Sequence, residues 1–145
     1  MYRELIEKLI DGHNWAKFQE PCSEREIKEA EDYIGFEFPE ELKDLLKETN
    51  GDHWFLLSAK EIVDNVKRNR EILAEYLDAD EFEEKVNRFI GFATNGCGDY
   101  YGYRILANGK TDTRAIYIWE HELFEIRMVA KDISDLITKY YNDEI

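Results

Sequence analysis

Hydrophobic and polar positions alternate in two different rhythms along the chain. The first half keeps a helical period. Leu5, Ile6, Leu9 and Ile10 form an apolar stripe from about Tyr2 to Leu9, which Asp11-Gly12 would end. Ile27, Ala30 and Ile34 form a second stripe, and Leu42, Leu45 and Leu46 a third, closed by Asn50-Gly51. Ile62, Val66, Leu73 and Tyr76 continue the same spacing in a long fourth helix. The second half changes to the period of a strand. Phe89–Ala93, Tyr100–Leu106, Ala115–Trp119 and Phe124–Val129 are rich in β-branched and aromatic residues and read as four strands. Trp54–Leu57 is a shorter strand candidate. In the third strand Ile116 and Ile118 point one way and Tyr117 and Trp119 the other. Either both faces of the sheet are covered or one is an aromatic binding surface. A last helical stripe, Ile133, Leu136, Ile137 and Tyr140, follows Asp132 as its cap.

The boundaries carry their own chemistry. Ser23-Glu24-Arg25-Glu26 and Ser58-Ala59-Lys60-Glu61 both have capping-box spacing. Cys22 with Ile27 and Leu57 with Ile62 stand where hydrophobic staples would, which gives Cys22 a structural role. Gly35 suits a left-handed helix stop, and Pro39 suits the first position of the next helix, where its missing N–H costs nothing. Asn95-Gly96-Cys97-Gly98-Asp99 reverses the chain between the first two strands, because glycine accepts positive φ without steric cost. It is not a phosphate cradle, since a strand and not a helix follows it. Asn108-Gly109 is a second turn signal and predicts a type I′ hairpin.

These elements predict an α+β fold: a single domain over residues 1–145, with an antiparallel or mixed sheet of four to six strands flanked by N-terminal and C-terminal helices. Hydrophobic residues at 43% and aromatics at 14% are enough for a packed core. The charge changes the picture of its partners. Against 33 acidic residues there are 19 basic ones, a net charge of −14. Direct binding of nucleic acid or of an anionic membrane is disfavoured. Solubility accounts for such a charge, and a basic protein partner is the sharper reading. The acidic run Asp78–Glu84 is expected to be the most mobile segment. Two cysteines, Cys22 and Cys97, make no disulfide framework, and reduced thiols in a cytoplasmic protein are the expectation. The N-terminal residues form a charged amphipathic helix rather than a signal peptide, and no apolar run approaches the ~20 residues of a membrane span.

Candidate chemistry gathers late in the chain. His121 lies between Glu120 and Glu122, but His121-Glu122-Leu123-Phe124-Glu125 lacks the second histidine of a zinc motif. No metal and no cofactor is expected. No nucleophile with a partnered base is visible, since Ser23 and Ser58 serve as caps. The aromatics Tyr100, Tyr101, Tyr103, Tyr117 and Trp119 are either core or interface; tyrosine and tryptophan anchor protein interfaces as readily as they fill cores. The expected partner-binding set is Asp99, Tyr101, Tyr103, Trp119, Glu120, His121 and Glu122.

The runs SEREIKEAEDYIGFEFPEELKDLLKETNG, FATNGCGDYYGY and IYIWEHELFEIRMVAKDISDLITKYY, in that order, resemble the SUKH superfamily, which includes the yeast cell-wall synthesis regulators of the Smi/Knr type. The resemblance covers roughly Ser23 to Tyr141. Ile34-Gly35-Phe36-x-Phe38-Pro39-Glu40-Glu41 with Asn50-Gly51 is its most specific part, although Phe38 stands where the family usually has leucine, and Val63–Arg88 matches no family pattern. The resemblance implies one sheet with flanking helices and no established catalytic residues. It also implies a non-catalytic binding role: in bacteria, as an immunity protein that neutralises a cognate polymorphic toxin, often a nuclease; in fungi, as a scaffold in cell-wall signalling. The expected partner is accordingly a basic toxin domain. A regulatory scaffold and a small hydrolase with an unrecognised site stand as alternatives.

Overall fold

The computed structural model describes residues 1–10 and 15–145. The Asp11-Gly12 stop expected for the first helix lies outside the described residues. The elements follow in the order α1 (Tyr2–Ile10), α2 (Glu24–Ile34), α3 (Glu40–Glu48), α4 (Ala59–Leu73), α5 (Ala79–Phe82), a π-helical turn (Glu83–Asn87), β1 (Phe89–Thr94), β2 (Tyr100–Arg104), β3 (Ile116–Glu120), β4 (Glu125–Ala130) and α6 (Ile133–Tyr141). The four strands form an antiparallel meander in sequential order. The fold is α+β, with helices at both ends of the chain.

Local chemistry sets the helix starts. Ser23 and Ser58 each accept from the backbone N–H three residues on, while Glu26 and Glu61 accept in return from the cap amides, so both capping boxes are complete. Asp132 caps α6 through the Asp135 amide. The amides of Tyr2 and Arg3 at the start of α1 donate to the Glu48 carboxylate of α3, an anion set at the positive end of a helix. Cys22 and Ile27 are both buried, as a staple requires. Burial pushes the Cys22 thiol up to about 11, and the nearby Glu26 carboxylate adds to it. Cys22 and Cys97 are not joined: the first is buried and the second is exposed in the 95–99 turn.

Both faces of the sheet are covered over β1–β3, while β4 stays largely exposed. Ile90, Tyr101, Tyr103, Ile116 and Ile118 pack into the main core with α1, α2, α3, α4 and α6. On the other face Phe89 and Trp119 join Leu73 and Val86 in a smaller cluster, with Phe82 and Ile126 packed against it. The acidic stretch expected to be mobile is thus folded as α5 and the start of the π-helical turn. Phe82 and Val86, four residues apart, anchor it to the sheet. At the centre, Gly91 of β1 faces Gly102 of β2. A Cβ on Gly102 would lie 1.9 Å from the Ile90 carbonyl oxygen, so only glycine allows the strands to pair here.

Two local expectations change. The Asn108-Gly109 turn has a bond from the Gly109 amide to the Leu106 carbonyl, and only Gly109 has positive φ. That is a type I turn followed by a left-handed glycine, not a type I′ turn, which needs two consecutive positive-φ residues. Phe55–Leu57 is an edge fragment on β1 rather than an independent strand: Leu56 bridges Ala93, the Leu57 amide donates to Phe92, and the Thr94 amide donates to Phe55.

Candidate functional site

The end of the sheet that carries the 95–99 turn brings together four of the expected residues. Within the turn, the Gly96 amide donates to Thr94 Oγ1, the Cys97 amide to Asn95 Oδ1, and Asn95 Nδ2 to Asp99 Oδ2 at 3.0 Å. From the β3–β4 turn, the His121 amide donates to Asp99 Oδ1 at 3.0 Å, and His121 Nδ1 lies 2.7 Å from the same oxygen. A Cβ on Gly98 would lie 3.1 Å from the His121 ring, so the glycine lets the imidazole settle over the turn. One carboxylate therefore fastens two turns. Burial alone would raise the Asp99 pKa, but the bonds from His121 and Asn95 outweigh it and hold the carboxyl below its ordinary range. Next to it, Glu120 pairs with Arg127 of β4, and Glu122 is exposed. Among the described residues no group of three or more His, Cys, Asp or Glu side chains is placed to hold a metal ion.

The other three expected contact residues are core residues. Tyr101 is 1% exposed, Tyr103 0% and Trp119 4%. Alternation sends Tyr101 and Tyr103 to the face covered by the helices, and for Tyr103 a distant acceptor completes the burial. The Tyr103 hydroxyl donates to Glu41 Oε1 of α3 at 2.5 Å, and its pKa is pushed far up by burial and by that carboxylate. Tyr101 packs against Phe55 with ring centroids 5.8 Å apart, and burial pushes its phenol up to about 12. Trp119 donates its indole N–H to the Lys85 carbonyl of the π-helical turn at 3.0 Å, so the segment at 83–87 shields it from solvent. All three side chains are thus closed off from solvent, where an exposed contact surface was expected.

The exposed aromatics lie elsewhere. Trp15 and Trp54 stack at 5.8 Å with an interplanar angle of 26°, and remain 61% and 48% exposed. Two backbone features bring them together across 39 positions of sequence. The Lys17 amide donates to the Asp52 carbonyl at 2.8 Å, which lays the segment after Trp15 along the one before Trp54. The Asp52 side chain then folds the chain back on itself: its Oδ1 accepts from the amides of Trp54, Phe55 and Leu56 at 2.8–2.9 Å. Asp52 is wholly buried. Burial raises its pKa against the opposing pull of those three amides. Positive φ at Gly51 and His53 completes the bend. The available sequence signal is Asp52 directly after the Asn50-Gly51 helix stop. Beside the stacked pair lies a cleft of about 460 Å³, lined also by Leu9, Ile10, Tyr140 and Asp143. Because the Thr94 amide bonds the Phe55 carbonyl, Trp54 lies next to Asn95, and the tryptophan pair and the Asp99–His121 clasp share one end of the molecule.

The SMI1 / KNR4 family (SUKH-1) matches residues 21–139. The chain belongs to that family. The matched span begins just before the Ser23 cap, ends within α6 and contains the whole sheet, Asp52 and the Asp99–His121 clasp. It leaves out Trp15, so the tryptophan pair joins a residue inside the match to one outside it. No curated protein matches the chain.

Proposed function

We propose that this SUKH protein is a non-catalytic binding protein of the bacterial cytoplasm, an immunity protein that neutralises a cognate toxin domain by direct contact. The observation that carries the reading is the charge of a SUKH-family domain: 33 acidic against 19 basic residues. A basic toxin domain, such as a nuclease whose surface is built for phosphates, is the complementary partner. Occlusion of its active site needs no chemistry from this chain. Long-range attraction speeds encounter, and short-range packing sets the lifetime of the complex. Asp99, Glu120, His121 and Glu122 belong to the acidic end of the sheet that such a partner would face. The companion reading, a scaffold in cell-wall signalling, rests on the same family membership.

Co-expression with the toxin product of the neighbouring gene separates the two. An immunity protein restores growth and co-purifies with the toxin in a stoichiometric complex. Unrelieved toxicity and no complex would overturn the reading and leave the scaffold role.

A further inference from the structure

We propose that the cleft beside Trp15 and Trp54 is the seat for an arginine side chain presented by a basic segment of the protein partner. The inference rests on the binding reading above and names the contact. Large exposed aromatic faces that touch each other are uncommon on a folded surface, because burying them is worth more than leaving them in water. Here the stacked pair holds its own geometry, with centroids 5.8 Å apart, and still presents two half-exposed indoles to solvent. Phe55 stacks on Tyr140 at 3.9 Å behind it, so the aromatic wall is rigid before any partner arrives.

The chemistry of the lining selects the occupant. The walls are Trp15, Trp54 and Tyr140, and the charged residue on the rim is Asp143. Among the described residues no basic side chain lines the cleft. A planar guanidinium satisfies both parts at once: it stacks on an indole face within about 6 Å of the ring centroid and donates to a carboxylate at its edge. Lysine offers a point charge and loses the stacking. The register of Leu56 on Ala93 sets Trp54 opposite Asn95, so a basic segment seated in the cleft has the 95–99 turn as a neighbour. The net charge of −14 favours such a segment over an acidic or neutral one.

The test is a titration of the isotope-labelled chain with a blocked alternating glycine–arginine peptide, followed on the indole N–H resonances. The glycine–lysine and glycine–glutamate peptides and a dilution series of the chain alone serve as comparisons. The Trp15 and Trp54 resonances should move saturably with the arginine peptide, while buried Trp119 stays fixed and reports an intact fold. Trp15→Ala and Trp54→Ala should each weaken binding by about tenfold and Asp143→Asn by a few-fold, and the lysine peptide should bind several-fold more weakly than the arginine one. Three results would overturn the proposal: indoles that do not respond, arginine and lysine peptides bound equally with no effect of either tryptophan variant, or a response to the chain's own dilution, which would make a second copy the occupant. The readout needs no toxin. Peptide binding with no rescue from toxicity would sink the immunity reading alone, whereas rescue without any indole response would sink this one alone.

Discussion

Two sets of aromatic residues in this protein have similar chemistry and opposite fates. Tyr101, Tyr103 and Trp119 sit in strands and are buried. Trp15 and Trp54 sit in connecting segments and face solvent as a stacked pair. Residue type does not separate them, since every one carries a polar N–H or O–H that water would satisfy. Cover distinguishes the buried set: the helices close over Tyr101 and Tyr103 and the 83–87 turn closes over Trp119, with Glu41 accepting from Tyr103 and the Lys85 carbonyl from Trp119. Position separates the two sets: a strand residue alternates onto a face that other elements cover, whereas a residue of a connecting segment is buried only where an element packs over it. The proposed interface accordingly draws on the pair outside the strands.

The sharpest way to break that contrast is Gly102→Ala, because Gly102 separates Tyr101 from Tyr103 and its strand has no room for a Cβ. The added methyl meets backbone rather than a movable side chain, so the loss of stability should exceed about 4 kcal/mol, and circular dichroism should show an unfolded or partly folded chain. Tyr103→Ala follows, at about 3–5 kcal/mol, with its cavity and the unpaired Glu41 both contributing. Trp54→Ala belongs to the other set and should shift the denaturant midpoint by less than about 1 kcal/mol, since the ring is half in water. Equal costs for Tyr103 and Trp54 would erase the distinction.

Smaller effects sharpen it. Ser23→Ala and Ser58→Ala each remove one half of a complete capping box and should cost about 0.5–2 kcal/mol in denaturant melts, leaving both aromatic sets in place. The smallest effect concerns the clasp at the acidic end. Asp99 has a lowered pKa in the fold, so its stabilisation is present above the unfolded carboxyl value and is lost as pH falls through the lowered folded one. His121→Ala removes the imidazole contact and keeps the amide bond. It should therefore cost on the order of 0.5–1.5 kcal/mol near neutral pH and less at pH values where Asp99 is protonated. An unchanged acid limb in the variant would show that the imidazole contributes nothing.

The parts of this fold that were legible in the sequence are the ones decided over a few residues. Ser23 with Glu26 and Ser58 with Glu61 fix helix starts by contacts three positions apart, and alternation in Ile116–Trp119 fixes which residues share a face. The four expected acidic-end residues also stay together, because the two turns that carry them join strands of one meander. The burial of Tyr101, Tyr103 and Trp119 was not legible to the same degree. Alternation names a face but not what covers it, and the cover came from Glu41, 62 positions away, and from the 83–87 turn. The helical turns at 78–84 were hidden for a related reason: charge density masks the two apolar residues, Phe82 and Val86, that pack this segment against the sheet. The tryptophan pair was not legible because it depends on the long-range Lys17–Asp52 backbone bond together with the fold-back around the Asp52 side chain, and no local pattern announces the first.

The central claim is that acidic charge brings a basic partner to this end of the protein and exposed aromatics hold it there. Stopped-flow binding to the cognate toxin domain, at low and high salt, tests it most directly with Glu122→Lys and Trp54→Ala beside the unaltered chain. Association should slow steeply as salt screens charges over a Debye length of ~8 Å at physiological ionic strength, and Glu122→Lys should slow it further. Trp54→Ala should leave association and its salt dependence nearly unchanged and speed dissociation about tenfold or more. An association rate indifferent to salt and to Glu122→Lys, with dissociation unmoved by Trp54→Ala, would contradict the account.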